Sequence, residues 1–125
     1  MPTDLHSALY LLGRILLGGA FFVFGLRNLR NVDRLTGVME KKNVPMPRPL
    51  MLVGVGIQLI GGLMVATGIL AAWGAAALIA FLLLAAYLFH DFWSYPEAER
   101  TPHINAWIMN VGLSGAFLMV IATSS

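Results

Sequence analysis

Residues 71–93 read AAWGAAALIAFLLLAAYLFHDFW, and the fold turns on how that stretch is understood. From Ile69 to Phe89 it carries no charged side chain, and about 20 apolar residues are enough to cross a ~30 Å hydrocarbon layer as a helix. The run then closes on Phe-His-Asp-Phe-Trp, with two ionisable groups set among aromatic rings. That is the pattern of a membrane helix ending at an interface, aromatics at headgroup level and polar groups just reaching water. Composition agrees. Of the 125 residues, 58% are apolar and 11% charged, against about 45–50% and 25% in soluble domains. A water-soluble fold of this size could not cover that much apolar surface. The chain is expected to be an integral membrane protein with a single transmembrane domain over residues 1–125.

Working outward, Leu50 to Phe89 is a charge-free run of 40 residues, room for two spans. The break is expected at Gly68 to Gly74, where GILAAWG supplies a turn and Trp73 an interface anchor. The N-terminal MPTDLHS lacks the basic region of a cleavable signal and no A-x-A site follows, so the first apolar run is expected to stay as a span. Together the sequence predicts an all-α four-helix bundle with spans near residues 8–26, 50–68, 72–93 and 104–122. Between the first two spans, Leu29, Val32, Leu35, Val38 and Met39 recur at helical spacing with Arg30, Asp33, Arg34 and Lys41 between them. This predicts a short amphipathic helix in the interface, basic face outward, with Pro45, Pro47 and Pro49 ending it. In the last loop, Pro96 and Pro102 are expected to act as breakers.

Six of the eight Lys and Arg residues (Arg27, Arg30, Arg34, Lys41, Lys42 and Arg48) fall in the loop between spans one and two, and the next loop has none. Positive-inside bias then puts loops one and three in the cytoplasm and both termini outside. The same clustering accounts for the basic pI near 9.4 through lipid headgroups rather than nucleic acid. The chain has no cysteine, which excludes disulfides, CxxC redox chemistry, thiolate zinc and iron–sulfur ligation by its own residues.

Gly18, Phe21 and Gly25 follow Arg14 at steps of four, three and four, so all four share a helix face of the tightly packing, small-residue kind. Gly54, Gln58, Gly61 and Gly68 do the same in span two. Ala76, Ala80, Leu83, Tyr87 and His90 are the expected inward stripe of span three, and His103, Trp107, Asn110, Ser114 and Phe117 that of span four. At ~1.5 Å per residue, His90 and His103 lie at the cytoplasmic edge, Asn110 roughly 9 Å in, Gln58 roughly 12 Å and Arg14 roughly 18 Å. Two readings follow. Either these groups form a polar ladder lining a small cavity for a ligand, or they pair off structurally, with Arg14 snorkelling to headgroups or capping loop carbonyls.

Several chemistries can be weighed against that pattern. His90 and His103 end adjacent spans, but helix-end histidines usually belong to the interface, so a shared haem is disfavoured. His90, Asp91 and His103 have no spacing that fixes a metal. A quinone headgroup needs only a donor or two beside an apolar, aromatic slot, and Tyr87, His90, Phe92, Trp93 and Trp107 supply those types. Proton-coupled export needs a membrane-embedded carboxylate, and no span holds an Asp or Glu in its interior. No catalytic triad or phosphate-binding loop is visible, so the chain is expected not to be catalytic on its own.

The order of its motifs resembles the DoxX family of small bacterial membrane proteins. The likeness runs through GRILLGGAFFVFGLRNL, the NVPMPRP turn, the glycine-rich second span, FHDFW, and MNVGLSGA with Asn110 at a family Asn position. It departs at Arg27-Asn28, where a lysine is common, and at the single Gly115, where a Gly pair is common. The resemblance implies a four-helix bundle in the bacterial inner membrane. Some such proteins are subunits of thiosulfate:quinone oxidoreductase, and others are partners of oxidative-stress proteins. The thiosulfate reaction does not carry over to a chain without cysteine. The expectation is an accessory or anchoring subunit of a membrane redox assembly, contacting quinone and protein partners or further copies of itself. The alternative is a small-molecule binding or transport protein whose cavity is formed by Arg14, Gln58, Tyr87, His90, Trp107 and Asn110.

Overall fold

The computed structural model describes residues 5–124, and all regular elements among them are helical. They are α1 (Leu5–Arg30), α2 (Val32–Lys41), α3 (Pro47–Thr67), α4 (Ala71–Phe89) and α5 (Arg100–Ser124), with single 3₁₀ turns at Phe92–Ser94 and Glu97–Glu99. Four of these are long and apolar enough to cross a membrane, as the sequence predicts. They alternate in direction, so one end of the bundle collects α2 and the charged loops (the basic end) and the other collects the α3–α4 turn. α1 packs chiefly on α3, α3 on α4, and α4 on α5.

The glycine faces explain that order. Gly18 and Gly25 are buried with Phe21, and Gly18 meets Gly62 so closely that a Cβ on either would fall 2.4 or 2.6 Å from the other's carbonyl oxygen. α3 and α4 cross through Gly61 and Gly74, where a Cβ on Gly74 would lie 3.0 Å from the Gly61 oxygen. In a membrane, lipid tails are as apolar as leucine, so such close backbone packing rather than water exclusion holds helices together. The main core gathers Phe21, Val65, Ala75, Leu78, Leu82 and Phe117 from all four spans.

At the basic end, α2 is amphipathic as expected, but its apolar side is used by the bundle. Met39 packs with Met51 and Val55, joined by Val32, Leu35, Leu59 and Phe89. An Arg48–Asp33 ion pair of 2.6 Å and a Lys42–Asp91 ion pair tie it to α3 and to the end of α4.

Three expectations need correction. Pro47 and Pro49 do not merely stop α2; they occupy the first turn of α3, where proline's missing N–H has no helical partner to lose. Pro102 likewise lies in the first turn of α5, which begins at Arg100. The α3–α4 break is shorter than predicted, because Gly68 (φ 84°) ends α3 in the left-handed conformation and α4 starts at Ala71, taking Trp73 and Gly74 into the helix. Finally, Ala76, Ala80, Leu83 and Tyr87 face outward, and the buried stripe of α4 is Ala71, Gly74, Ala75, Leu78, Leu82 and Ala86. α4 is apolar all round, so hydrophobic periodicity carries no facing signal there; the face is chosen by the need of Gly74 to meet Gly61.

Candidate functional site

Each span-borne polar group expected in the ladder has a definite neighbour. Gln58 is 3% exposed, and its Oε1 accepts a 2.7 Å hydrogen bond from Asn28 Nδ2 across the α1–α3 seam. Asn110 Nδ2 donates to the Leu82 carbonyl at 3.0 Å, and Ser114 Oγ donates to the Asn110 carbonyl at 2.8 Å. These are helix-to-helix ties. Arg14 lies at the other end of the molecule, its guanidinium against Gly68 in the α3–α4 turn and 5.4 Å from the Tyr10 ring centre. Gly68 is ten residues beyond Gln58 on α3, roughly 15 Å along the axis. Arg14, Gln58 and Asn110 therefore do not line one cavity.

The groups that do come together lie at the basic end. α4 stops at His90, and the 3₁₀ turns fold the chain back so that α5 brings His103 alongside. The two Nδ1 atoms are 3.1 Å apart, within hydrogen-bonding distance. Tyr95 stacks on His103 with ring centres 4.1 Å apart. Lys42 reaches from the C-terminal cap of α2, pairs with Asp91 and lies 5.6 Å from the Tyr95 ring centre. Arg100 Nε donates to the Tyr95 carbonyl and Trp107 Nε1 to the His90 carbonyl, both at 2.8 Å. Trp93 stands between Tyr87 (5.8 Å) and Trp107 (6.3 Å), forming an aromatic wall beside the histidines. Tyr87 itself is 59% exposed and belongs to the outer surface of that wall.

The chemistry of the histidine pair follows from its geometry. In a neutral pair, one Nδ1 carries the shared proton and the other accepts it. The first ring then presents a bare Nε2 acceptor and the second an Nε2–H donor. The edge can offer both a donor and an acceptor to a small polar headgroup. Among the described residues no cluster of three or more metal-ligating side chains occurs.

The family is decided by comparison with known sequences. The DoxX family model matches residues 9–91. The chain belongs to the DoxX family. The inner membrane protein YphA of Escherichia coli (strain K12) is 27% identical over 119 residues, covering 94% of this chain and 84% of that protein. With four apolar helices and an inner-membrane relative, this DoxX protein is a multi-pass inner-membrane protein. No solved structure matches it.

Asn28, Lys42 and Tyr95 complete these contacts and are not among the expected site residues. Asn28 had a signal, since it continues the Gly18–Phe21–Gly25 face by three more residues. Lys42 and Tyr95 had none. Their roles depend on how α2 and the 3₁₀ turns fold back across the bundle end.

Proposed function

We propose that this DoxX protein is an accessory, non-catalytic subunit of a membrane redox assembly, with its basic end turned to the cytoplasm and its histidine edge contacting a quinone headgroup. The observation that carries this reading is the His90–His103 pair, bonded through Nδ1 at 3.1 Å beside the Trp93–Trp107 wall. A quinone carbonyl accepts from the Nε2–H of one ring, and a quinol hydroxyl donates to the bare Nε2 of the other. The pair serves either redox form without a charge change. Trp93 and Tyr87 give the ring and first isoprenoid units an apolar face. The anchoring role draws on the extent of exposed apolar helix surface, which serves lipid and partner subunits alike.

The pairing of Gln58 and Asn110 leaves the transport alternative without a continuous polar path. In nanodiscs, titration with a short-chain quinone is expected to quench Trp93 and Trp107 fluorescence to a plateau. His103→Phe should weaken that binding by about tenfold, the worth of one good hydrogen bond. Quenching that never saturates, or that His90→Phe and His103→Phe leave unchanged, removes the quinone contact from the account. The cytoplasmic placement of the basic loops has its own test. A C-terminal fusion should be active as a periplasmic phosphatase and dark as a cytoplasmic fluorescent protein, and the reverse pattern inverts the orientation.

A further inference from the structure

The seam between α1 and α5 opens, at the end opposite the histidines, into a groove of about 560 Å³. Its walls are mostly apolar, with Leu9, Gly13 and Leu17 on one side and Ala116 and Met119 on the other; His6, Tyr10 and Thr123 also line it, and Arg14 is its one Lys or Arg. Among the described residues, every other Lys, Arg, Asp and Glu lies at the basic end, from Arg27 to Arg48 or from Asp91 to Arg100. No described carboxylate forms an ion pair with Arg14, and its Nε is buried without an acceptor. The guanidinium is held in place from behind: Gly68 approaches it so closely that a Cβ there would fall 2.9 Å from Cζ.

Its height is also fixed. α3 has 21 residues from Pro47 to Thr67, a rise of roughly 31 Å, which spans the ~30 Å hydrocarbon layer. Gly68 and the Arg14 guanidinium beside it therefore sit where the phosphates of that leaflet begin. A guanidinium at phosphate level, with no ion pair among the described residues and at the mouth of an apolar groove, is complementary to an anionic amphiphile, since guanidinium binds phosphate through paired charge-assisted hydrogen bonds.

We infer that the α1–α5 groove binds one anionic glycerophospholipid of the surrounding leaflet. Its phosphate sits on Arg14, and its glycerol ester and upper acyl methylenes lie between Gly13 and Met119. The site is independent of the histidine edge and of the redox reading.

The test uses the full chain in nanodiscs of phosphatidylcholine and phosphatidylglycerol, with retained lipid counted by native mass spectrometry. One phosphatidylglycerol should be kept in preference to phosphatidylcholine. Arg14→Gln should reduce that retention by about tenfold. Gly13→Leu should do the same by filling the groove, and it is the cleaner variant, because a Cβ at Gly13 meets nothing within 4 Å. Gly19→Leu, equally open and away from the groove, should keep the lipid. Equal retention of both lipids overturns the inference, as does full retention by a Gly13→Leu protein with the wild-type melting temperature. Displacement by millimolar inorganic phosphate would make this a free-anion site instead. A dimer that Gly13→Leu dissociates would make the groove's occupant a second copy.

Discussion

Helix α1 is held to two neighbours in two different ways. Against α3, Gly18 and Gly62 let the backbones touch, and the Asn28–Gln58 hydrogen bond closes the same seam further down. Against α5, the contact is the edge-on meeting of Phe21 and Phe117, ring centres 5.1 Å apart, beyond which the seam opens into the Arg14 groove. Small residues commit a seam to permanent packing. Bulky ones prop the helices apart and leave space that lipid can enter. In a bilayer this difference is sharp, because there is no general hydrophobic pressure to close a seam that side chains hold open.

The closed seam is most sensitive at Gly62. Gly62→Leu would place a Cβ 2.6 Å from the Gly18 oxygen, and backbone cannot yield as a side-chain tip can. A loss of at least ~3 kcal/mol is expected, at the upper end of overpacking costs, read as failure to refold from denaturing detergent into mild micelles. Refolding with near-wild-type stability would show that the seam is not the lock described here. Next is Phe117→Ala. Phe117 is fully buried, and its truncation should cost about 3 kcal/mol, loosening α5 selectively. Hydrogen exchange that rises equally in α1, α3 and α5 would contradict the division into a closed and an open seam.

Smaller effects sharpen the picture. Gln58→Leu strands Asn28 in the closed seam and should cost about 1 kcal/mol, as interhelical hydrogen bonds in membranes do. The Asn28→Leu, Gln58→Leu double variant should lose less than the sum of the two singles, and strict additivity would mean the 2.7 Å bond contributes nothing. Smallest is Thr36→Val. Thr36 Oγ1 is buried without a partner, so an isosteric apolar replacement should be neutral or stabilising by up to ~1 kcal/mol. A clear loss would reveal an acceptor for that hydroxyl.

Much of this was legible from the residues. Span number, the α2 helix and the packing face of α1 follow from charge-free length and from small residues at steps of three and four; on α3 the expected face holds for Gln58 and Gly61, but Gly62, which meets Gly18, lies off it. The inward face of α5 through Trp107, Asn110, Ser114 and Phe117 was legible for a different reason, since polar groups in a span must point where partners are. The face of α4 was not legible, because a helix apolar on every side gives no periodic signal. Arg14 shows a second limit. Helical rise gives a depth only from an assumed span end, whereas the Gly18–Gly62 contact sets the register of α1 against α3 and puts Arg14 beside Gly68 in the far turn. The histidine site was half legible: FHDFW marked the end of a span, but the meeting of His90 with His103 at 3.1 Å depends on two 3₁₀ turns that no motif announces.

The most direct test of the central reading, an accessory redox subunit with a quinone-contacting edge, is native mass spectrometry of the protein drawn gently from its own membranes. The account predicts larger partner chains retained together with a quinone mass, and loss of that mass alone in His103→Phe. A lone protomer, with neither partner chains nor quinone under conditions that keep bound phospholipid, would contradict it.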